Sequence, residues 1–404
     1  MASGKGLFHD LVVVELASVL AGPSVGQFFA ELGARVIKIE NAKTNGDVTR
    51  RWKLPSEAKE TMVSAYFSAA NWGKESVCLD LSDSSMKKAV YQIIRQADVV
   101  LASFKPGDAE KLGLDFASLV KVNPSLVYGS ITGYGKEVAR AGYDAVLQAE
   151  AGFMYLNGEK GGAPLKMPVA LIDLLAAHQL KEGLLAALYL KEKTGKGQLV
   201  EVSLLRAAIA SLANQGTNYL VAGVAPERMG SEHPNIVPYG TVFQTADGKE
   251  LVLAIGDDRQ FSALCTILGQ PELASQDSFK TNSARVANRE ALTQKLKELV
   301  AQQNRDPFLH HLNRQNVPAG AIHTVPEALA QEGAGPQLLQ GKNGQAAGIR
   351  QIAFVLEGEG EASLTPPPVL GAHSWQVLQE LGKVSEQQLE VLERKGTVKG
   401  RQAI

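Results

Sequence analysis

LVVVELASVLAGPSVGQFFAELGARVIKIE, residues 11–40, is the stretch whose reading decides the fold. It opens on Leu11–Leu16, an apolar, β-branched run of the kind that lies as a buried strand. Gly22-Pro23 then turns the chain, Ser24 to Leu32 has helical spacing, and Gly33 stands where a helix stops. Val36–Glu40 supplies a second strand. Strand, helix and strand in succession predict a βαβ unit with a parallel pair.

The same alternation continues. Ser76–Leu81 reads as a strand, Ser85 to Ala97 as an amphipathic helix, and Asp98–Ser103 and Leu126–Thr132 as further strands. Asp173 to Lys193 is the clearest helix of the sequence. It ends at Thr194-Gly195-Lys196-Gly197, before a strand over Gln198–Ser203, and an apolar helix is expected from Leu204 to Ala222. Repeated βα units predict a doubly wound, Rossmann-like sheet with helices on both faces. Near Gly223 the character changes. Tyr239–Gln244 and Glu250–Ile255 flank Ala246-Asp247-Gly248, a hairpin signal, and helical segments follow before a strand near Gly320–Thr324. The organisation expected is a large α/β domain over 1–222, a small α+β domain over 223–334, and a return segment over 335–404 that completes the large one. Thr365-Pro366-Pro367-Pro368 must be extended, because each proline biases its predecessor away from helix.

Composition narrows the function classes. The 404 residues are 45% hydrophobic and 21% charged, with 41 basic against 42 acidic side chains and a net charge of -1. That balance argues against a nucleic-acid or membrane-surface binder. Cys78 and Cys265 make neither a disulfide framework nor a zinc pattern, and no metal site is expected. Met1–Asp10 carries Lys5 and His9 without an apolar signal core, and Leu11–Ala30 is interrupted by Glu15, Gly22 and Pro23. A cytoplasmic protein is the expectation.

Few motifs carry chemistry by themselves. The first βα turn, Ala17 to Pro23, lacks the G-x-G-x-x-G pattern, which disfavours a dinucleotide-linked oxidoreductase and leaves a plain turn as the simplest reading. Lys38, Lys43, Arg50, Arg51, Lys74, Lys105 and Lys111 scatter near predicted strand ends. Ligands of doubly wound sheets bind outside the carboxyl ends of the strands, so Lys43, Lys74 and Lys105 are candidates to converge on a polyanion. Each taken singly reads as a solvated surface charge. No G-x-S-x-G or H-E-x-x-H motif is present, so a carboxylate is the remaining candidate for covalent catalysis. Asp173 stands at the start of the long helix. On its own surroundings it reads first as an N-cap, a position that would also hold it ionised.

With these residues in view, the sequence resembles the class III CoA-transferases (CaiB/BaiF-like), the family of formyl-CoA transferase and carnitine CoA-transferase. The likeness runs in order through LASVLAGP (16–23), GARVIKIE (33–40), GDVTR (46–50), NWGKESVCLDL (71–81), SFKPG (103–107), LGL (112–114), GYDAVLQAEAG (142–152), Asp173 and TGKGQLVEVSLLRAA (194–208). It continues through HPNIVPYGTVFQTADG (233–248), FKTNSARVANRE (279–290) and PPPVLGAH (366–373). The resemblance implies a homodimer of interlocked rings, with Asp173 as nucleophile and no tightly bound cofactor. Coenzyme A or acyl-CoA enters as substrate, contacted at Leu20, Ala21, Asn41, Lys43, Leu79, Asp80, Leu81, Ser82, Ser103, Phe104, Lys105, Lys111, Ala141, Gly142, Tyr143 and Asp144.

Several positions depart from the family pattern. Asn41 replaces a frequent phosphate-binding arginine, with Lys43 as the nearby charge, and Lys105 replaces an arginine fork by a point charge. The glycine-rich flap of formyl-CoA transferase is absent; Ser231 to Pro238 reads SEHPNIVP. Tyr143 occupies the place of the histidine used by the related α-methylacyl-CoA racemases. With a reference pKa near 10, tyrosine is a poor proton-exchange partner there. The function expected is therefore transfer of CoA from an acyl-CoA donor, succinyl-CoA among the candidates, to a carboxylic acid through an aspartyl anhydride and an aspartyl-CoA thioester. A racemase-like isomerase and a non-catalytic CoA-binding protein are the alternatives. The backbone amides at the start of the Asp173 helix are the expected oxyanion donors.

Overall fold

The computed structural model describes residues 6–341, 347–358 and 362–400. Lys5, which entered the reading of the N-terminus, and residues 342–346 of the weakly patterned Gly/Gln-rich stretch lie outside the described residues. The chain divides into two compact units, Met1–Ala151 with Pro168–Thr217 and Pro336–Ile404, and Gly152–Met167 with Asn218–Gly335. The sequence reading drew the change at 222/223 and kept Gly152–Met167 with the first domain. No break in periodicity marks the change after Thr217, since the Ala213–Ala222 helix runs through it.

The first unit is built on six parallel strands, β1 (Val12–Leu16), β2 (Arg35–Asn41), β3 (Lys74–Leu79), β4 (Val99–Ala102), β5 (Val127–Thr132) and β6 (Gln198–Ser203). Their order is β3-β2-β1-β4-β5-β6, the doubly wound arrangement whose direction reverses between β1 and β4. Val398–Lys399, not anticipated from sequence, adds a short antiparallel edge against Leu79 and Cys78. Valine and isoleucine dominate the strand interiors because both sheet faces are covered. Val14, Ile37, Val77, Val100, Ile93, Ile94, Val377 and Leu389 lie in one buried cluster that includes helices from both ends of the chain.

The first helix starts earlier than expected, at Ala21, and takes Gly22 and Pro23 into its opening turn, where a missing N–H costs nothing. All of its residues through Glu31 are buried. The expected helix over 204–222 is two helices, Leu204–Ala210 and Ala213–Ala222, broken where Ala213 takes a φ of 43°.

Several basic residues that sequence placed near the strand ends are interior. Lys38 and Lys74 bond the two oxygens of the buried Glu15 at 2.8 and 2.7 Å, and Lys38 also pairs with Asp47 at 3.0 Å. Arg50 forks onto Glu40, which also accepts from Ser76 at 2.6 Å. Burial works against the Lys38 charge, but Glu15, Asp47 and Glu40 outweigh it and hold the ammonium well above its usual range. Lys74, which sits at the amino end of β3 and is fully buried, is pulled down to about 8 by that burial, with Glu15 opposing. Lys74 therefore belongs to the core and does not face a ligand at the strand ends. Gly26 makes room for this network: a Cβ there would sit 1.9 Å from Glu15 Oε2.

The second unit carries an antiparallel sheet of β7 (Tyr239–Gln244), β8 (Glu250–Ala254) and β9 (Ala319–Ala321) in that order. Helices Asp258–Ile267, Arg289–Val300 and Arg305–Arg314 supply Phe261, Leu264, Leu292, Leu296, Phe308 and Leu312 to its core. Two of the sequence segments that set the family likeness meet here. Asn282, Arg285 and Arg289 donate to the carbonyls of Asn235, Val237, His233 and Pro234, clamping the 232–238 loop. Among the described residues of the whole chain, no helix is long and apolar enough to cross a membrane.

Candidate active site

The carboxyl ends of β1 to β4 open into a groove of about 510 Å³. It is lined by Leu16 and Ser18 after β1, Asn41, Lys43 and Asp47 after β2, Asp80, Leu81 and Ser82 after β3, and Ser103, Phe104, Asp108 and Lys111 after β4. The groove thus straddles the reversal point of the sheet, where strand ends diverge and leave a crevice.

Of the expected CoA contacts, Asn41, Lys43, Asp80, Leu81, Ser82, Ser103, Phe104 and Lys111 come together there. Lys43 spans from β2 to β3, with its ammonium 2.9 Å from Asp80 and 2.6 Å from the Ser82 hydroxyl. Asn41 accepts from the Lys43 amide at 2.9 Å, so its side-chain oxygen caps a turn. Lys111 pairs with Asp108 at 3.0 Å in an exposed ion pair. Leu79 is fully buried, and Leu20 and Ala21 are nearly so, which leaves those positions only their backbone to offer. Lys105 is exposed and is not part of the groove lining. Ala141 to Tyr143 stand after β5 in a loop that leads into a helix at Asp144, and there Gly142 and Gly133 touch backbone to backbone; a Cβ on either would fall within 2.5 Å of the other.

The turn from β1 into the first helix is held in an unusual shape. Val19 has a φ of 73°, a left-handed conformation that costs a β-branched residue of order 1–3 kcal/mol. Its amide is gripped by both oxygens of Asp47, at 3.3 and 3.2 Å, and Asp47 is fixed in turn by Lys38. Asp47 had no expected role, and the segment read on its local chemistry as a plain turn, with Leu20 and Ala21 marked as CoA contacts by the family likeness alone. Among the described residues the next amides, of Leu20, Ala21 and Gly22, have no hydrogen-bond acceptor.

Asp173 lies on the same edge of the sheet. Its helix, Leu171–Thr194, packs Leu180 and Leu184 on Gly129 of β5 and seats Gly183 on Val200 of β6. Near its far end Lys191 pairs with Asp98, just before β4, at 2.7 Å. The helix therefore runs antiparallel to the strands and starts at their carboxyl ends. Asp173 is in its first turn but is not its cap: Ala170 holds the cap position and no side chain of the cap residue bonds the helix. The side chain that does so comes from another helix. Asp144, first residue of Asp144–Glu150, accepts the Ile172 amide at 2.8 Å and the Gln148 amide nitrogen at 2.7 Å.

Asp173 itself is 9% exposed, and among the described residues its carboxylate accepts no hydrogen bond. Burial, with the Asp144 charge adding to it, raises its pKa from the ordinary 3.8 to about 7. Tyr66, which the sequence did not single out, belongs to the same neighbourhood. Burial and the charges of Asp173, Asp144 and Asp47 push its hydroxyl up. Its ring meets Trp52 edge-on at 5.0 Å. Tyr143, next to Asp144, is 65% exposed. Of the expected oxyanion donors at the start of the long helix, the amides of Leu171, Ile172 and Leu174 are engaged, by Val169, Asp144 and Ala170.

A doubly wound sheet thus carries a polar groove at its reversal point and, on the same edge, a buried carboxylate that accepts no hydrogen bond among the described residues, a layout suited to covalent group transfer. The chain belongs to CoA-transferase family III, whose family model matches residues 8–374, and it is a CoA-transferase. It is 38% identical over 395 residues to succinate–glutarate CoA-transferase of Agrobacterium fabrum, covering 94% of this chain and 97% of that one. The human succinyl-CoA:glutarate CoA-transferase is 32% identical over 404 residues, covering 96% and 88%. A CaiB/BaiF family crystal structure from Brucella suis superposes with a TM-score of 0.80 at 38% identity, over 94% of this chain and all of that one.

Proposed function

We propose that the enzyme moves CoA between dicarboxylic acids, with succinyl-CoA as donor and Asp173 as the covalent carrier. The single observation that carries the mechanism is the state of Asp173. Among the described residues it is a buried carboxylate that accepts no hydrogen bond, with a pKa near neutrality, at the carboxyl edge of the sheet. A carboxylate stripped of donors is a better nucleophile than a solvated one. The substrate class is supported by the Agrobacterium and human relatives, which are named for succinate or succinyl-CoA and glutarate.

In this mechanism Asp173 Oδ attacks the thioester carbonyl, the C–S bond breaks, and CoA leaves as thiolate, giving an acyl-aspartyl anhydride. The thiolate then attacks the aspartyl carbonyl, releasing succinate and leaving an aspartyl-CoA thioester. The acceptor carboxylate attacks that thioester, and the returning thiolate releases the new acyl-CoA. Thioester is exchanged for thioester, so no net energy input is needed. The groove residues Asn41, Lys43, Asp80, Leu81, Ser82, Ser103, Phe104 and Lys111 hold the CoA moiety through these steps, and the unbonded amides of Leu20 and Ala21 serve the anionic oxygens. Retaining CoA in place is worth up to about 7–11 kcal/mol of barrier through orientation alone. The working form is a homodimer.

Incubation with succinyl-CoA and glutarate, with oxalate and mesaconate as competitors, is followed by mass of the acyl-CoA formed. Glutaryl-CoA is expected, and its absence with all acids overturns the substrate class. Asp173→Asn is expected to abolish turnover while CoA still binds; a fully active variant removes the carrier role.

A further inference from the structure

Asp144 stood among the expected CoA contacts, but its geometry gives it another task. Its carboxylate is committed within the protein: Oδ1 takes the amide of Ile172, the residue directly before Asp173, and Oδ2 takes Gln148 Nε2. Gln148 is itself buried and also reaches the Val169 carbonyl at 3.3 Å, on the approach to the same helix. The backbone from Val169 to Ile172 is thus stapled from two sides by one short helix, and Asp173 projects from the end of that staple.

We propose that Asp144 is the positioning residue of Asp173. It fixes the start of the nucleophile's helix by hydrogen bonding, and its negative charge drives electron density from Asp173 onto the CoA sulfur during acyl transfer. The inference rests on the carrier role of Asp173 proposed above.

The chemistry follows from where charge travels. Before attack, the half-buried Asp144 carboxylate, held on the Ile172 amide, sits one residue from the buried Asp173 carboxylate. The Asp173 carboxyl responds mainly to burial and then to Asp144. The charges of Asp173, Asp144 and Asp47 all act on Tyr66 and, with burial, keep its hydroxyl protonated, and Asp47 is paired with Lys38. When Asp173 Oδ bonds to the acyl carbon and the C–S bond breaks, Asp173 becomes a neutral anhydride and the charge departs on sulfur. Repulsion present in the free enzyme is relieved in the acyl-enzyme. A fixed like charge thereby favours each covalent state over the free carboxylate.

The test is Asp144→Asn, which keeps an oxygen acceptor for the Ile172 amide while removing the charge and the acceptor that Gln148 Nε2 uses, so it is made with Gln148→Glu as a paired control that breaks that contact without removing negative charge. The acid limb of kcat/KM against pH is expected to move to lower pH by more than 0.2 units, and the fraction of enzyme trapped by hydroxylamine under subsaturating succinyl-CoA should fall. KM for acyl-CoA should change less than threefold. Asp144→Glu, which restores the charge, should return the acid limb toward the wild-type position. If Asp144→Asn does not fold, Asp144→Ser, a short uncharged acceptor, takes its place with the same expectation. An acid limb that stays within 0.2 units in a folded, uncharged variant overturns the charge role, whatever the activity. A large rise in KM with kcat unchanged overturns the positioning role in favour of CoA contact. Failure of the carrier reading is seen separately, as turnover in Asp173→Asn.

Discussion

Asp173→Asn is expected to stabilise the protein, and to do so more strongly as the pH rises. In the folded chain the Asp173 carboxyl holds its proton up to about pH 7, whereas in the unfolded chain it releases it near 3.8. A carboxyl whose folded pKa is raised contributes its full share of stability below the unfolded value and loses it as pH climbs through the folded one. That difference is worth roughly 4 kcal/mol at most once both states are ionised, of which about 2.5 kcal/mol falls between pH 5 and pH 8. Asparagine has no such dependence, so its gain over wild type should grow across that interval. At roughly 2 °C per kcal/mol for a unit of this size, the gap in Tm should widen by about 3–6 °C from pH 5 to pH 8. Differential scanning calorimetry of both proteins at matched ionic strength reads the gap directly. Any pH-independent effect of the substitution, such as an altered contact, cancels in the comparison. A gap that is constant, or that narrows toward pH 8, refutes the claim that Asp173 is held ionised against its surroundings. The same destabilising carboxylate is what catalysis requires, a trade of stability for reactivity seen at many active sites.

Asp47→Ala should cost about 3–5 kcal/mol in chemical denaturation, because it takes one of two ion-pair partners from the buried Lys38 and leaves it Glu15, which Lys74 shares. Adding Val19→Gly to it should return part of any activity lost, since glycine takes the left-handed φ of 73° without the Asp47 grip; an unchanged rate in the double variant counts against that link. Gly26→Ala should sharply lower the yield of folded protein, its methyl falling on Glu15 Oε2, and a Tm within 2 °C of wild type would contradict the packing described. Lys43→Ala should raise KM for acyl-CoA about three- to tenfold in steady-state assays while shifting stability by less than about 0.5 kcal/mol, because its ion pair with Asp80 is exposed.

Local chemistry in the sequence carried the architecture of the first unit. The β-branched runs at Val12–Leu16, Arg35–Asn41 and Val127–Thr132, set among helical periods over 24–32, 85–97 and 173–193, call for parallel strands covered on both faces. Ordered motifs carried the family and pointed to Asp173, and the groove gathered eight of the expected contacts. The strand Val398–Lys399 escaped notice because two residues have no period to read.

What sequence left open was the partner of each charge. Lys38, Lys43, Lys74 and Lys105 look alike in one dimension, all basic and near strand ends. In three dimensions Lys38 and Lys74 are sealed against Glu15, Lys43 bridges to Asp80 in the groove, and Lys105 stands exposed outside it. Asp173 shows the same division. Its place at the head of a long helix is legible, and that position alone suggests a cap with a lowered pKa. Only the fold brings Asp144 to the Ile172 amide, takes over the capping, and leaves Asp173 buried beside a like charge. Periodicity and propensity are local and survive in the sequence, whereas burial and electrostatic pairing depend on which distant segments meet. The sequence determined the scaffold and the carboxylate; the tertiary structure decided its ionisation.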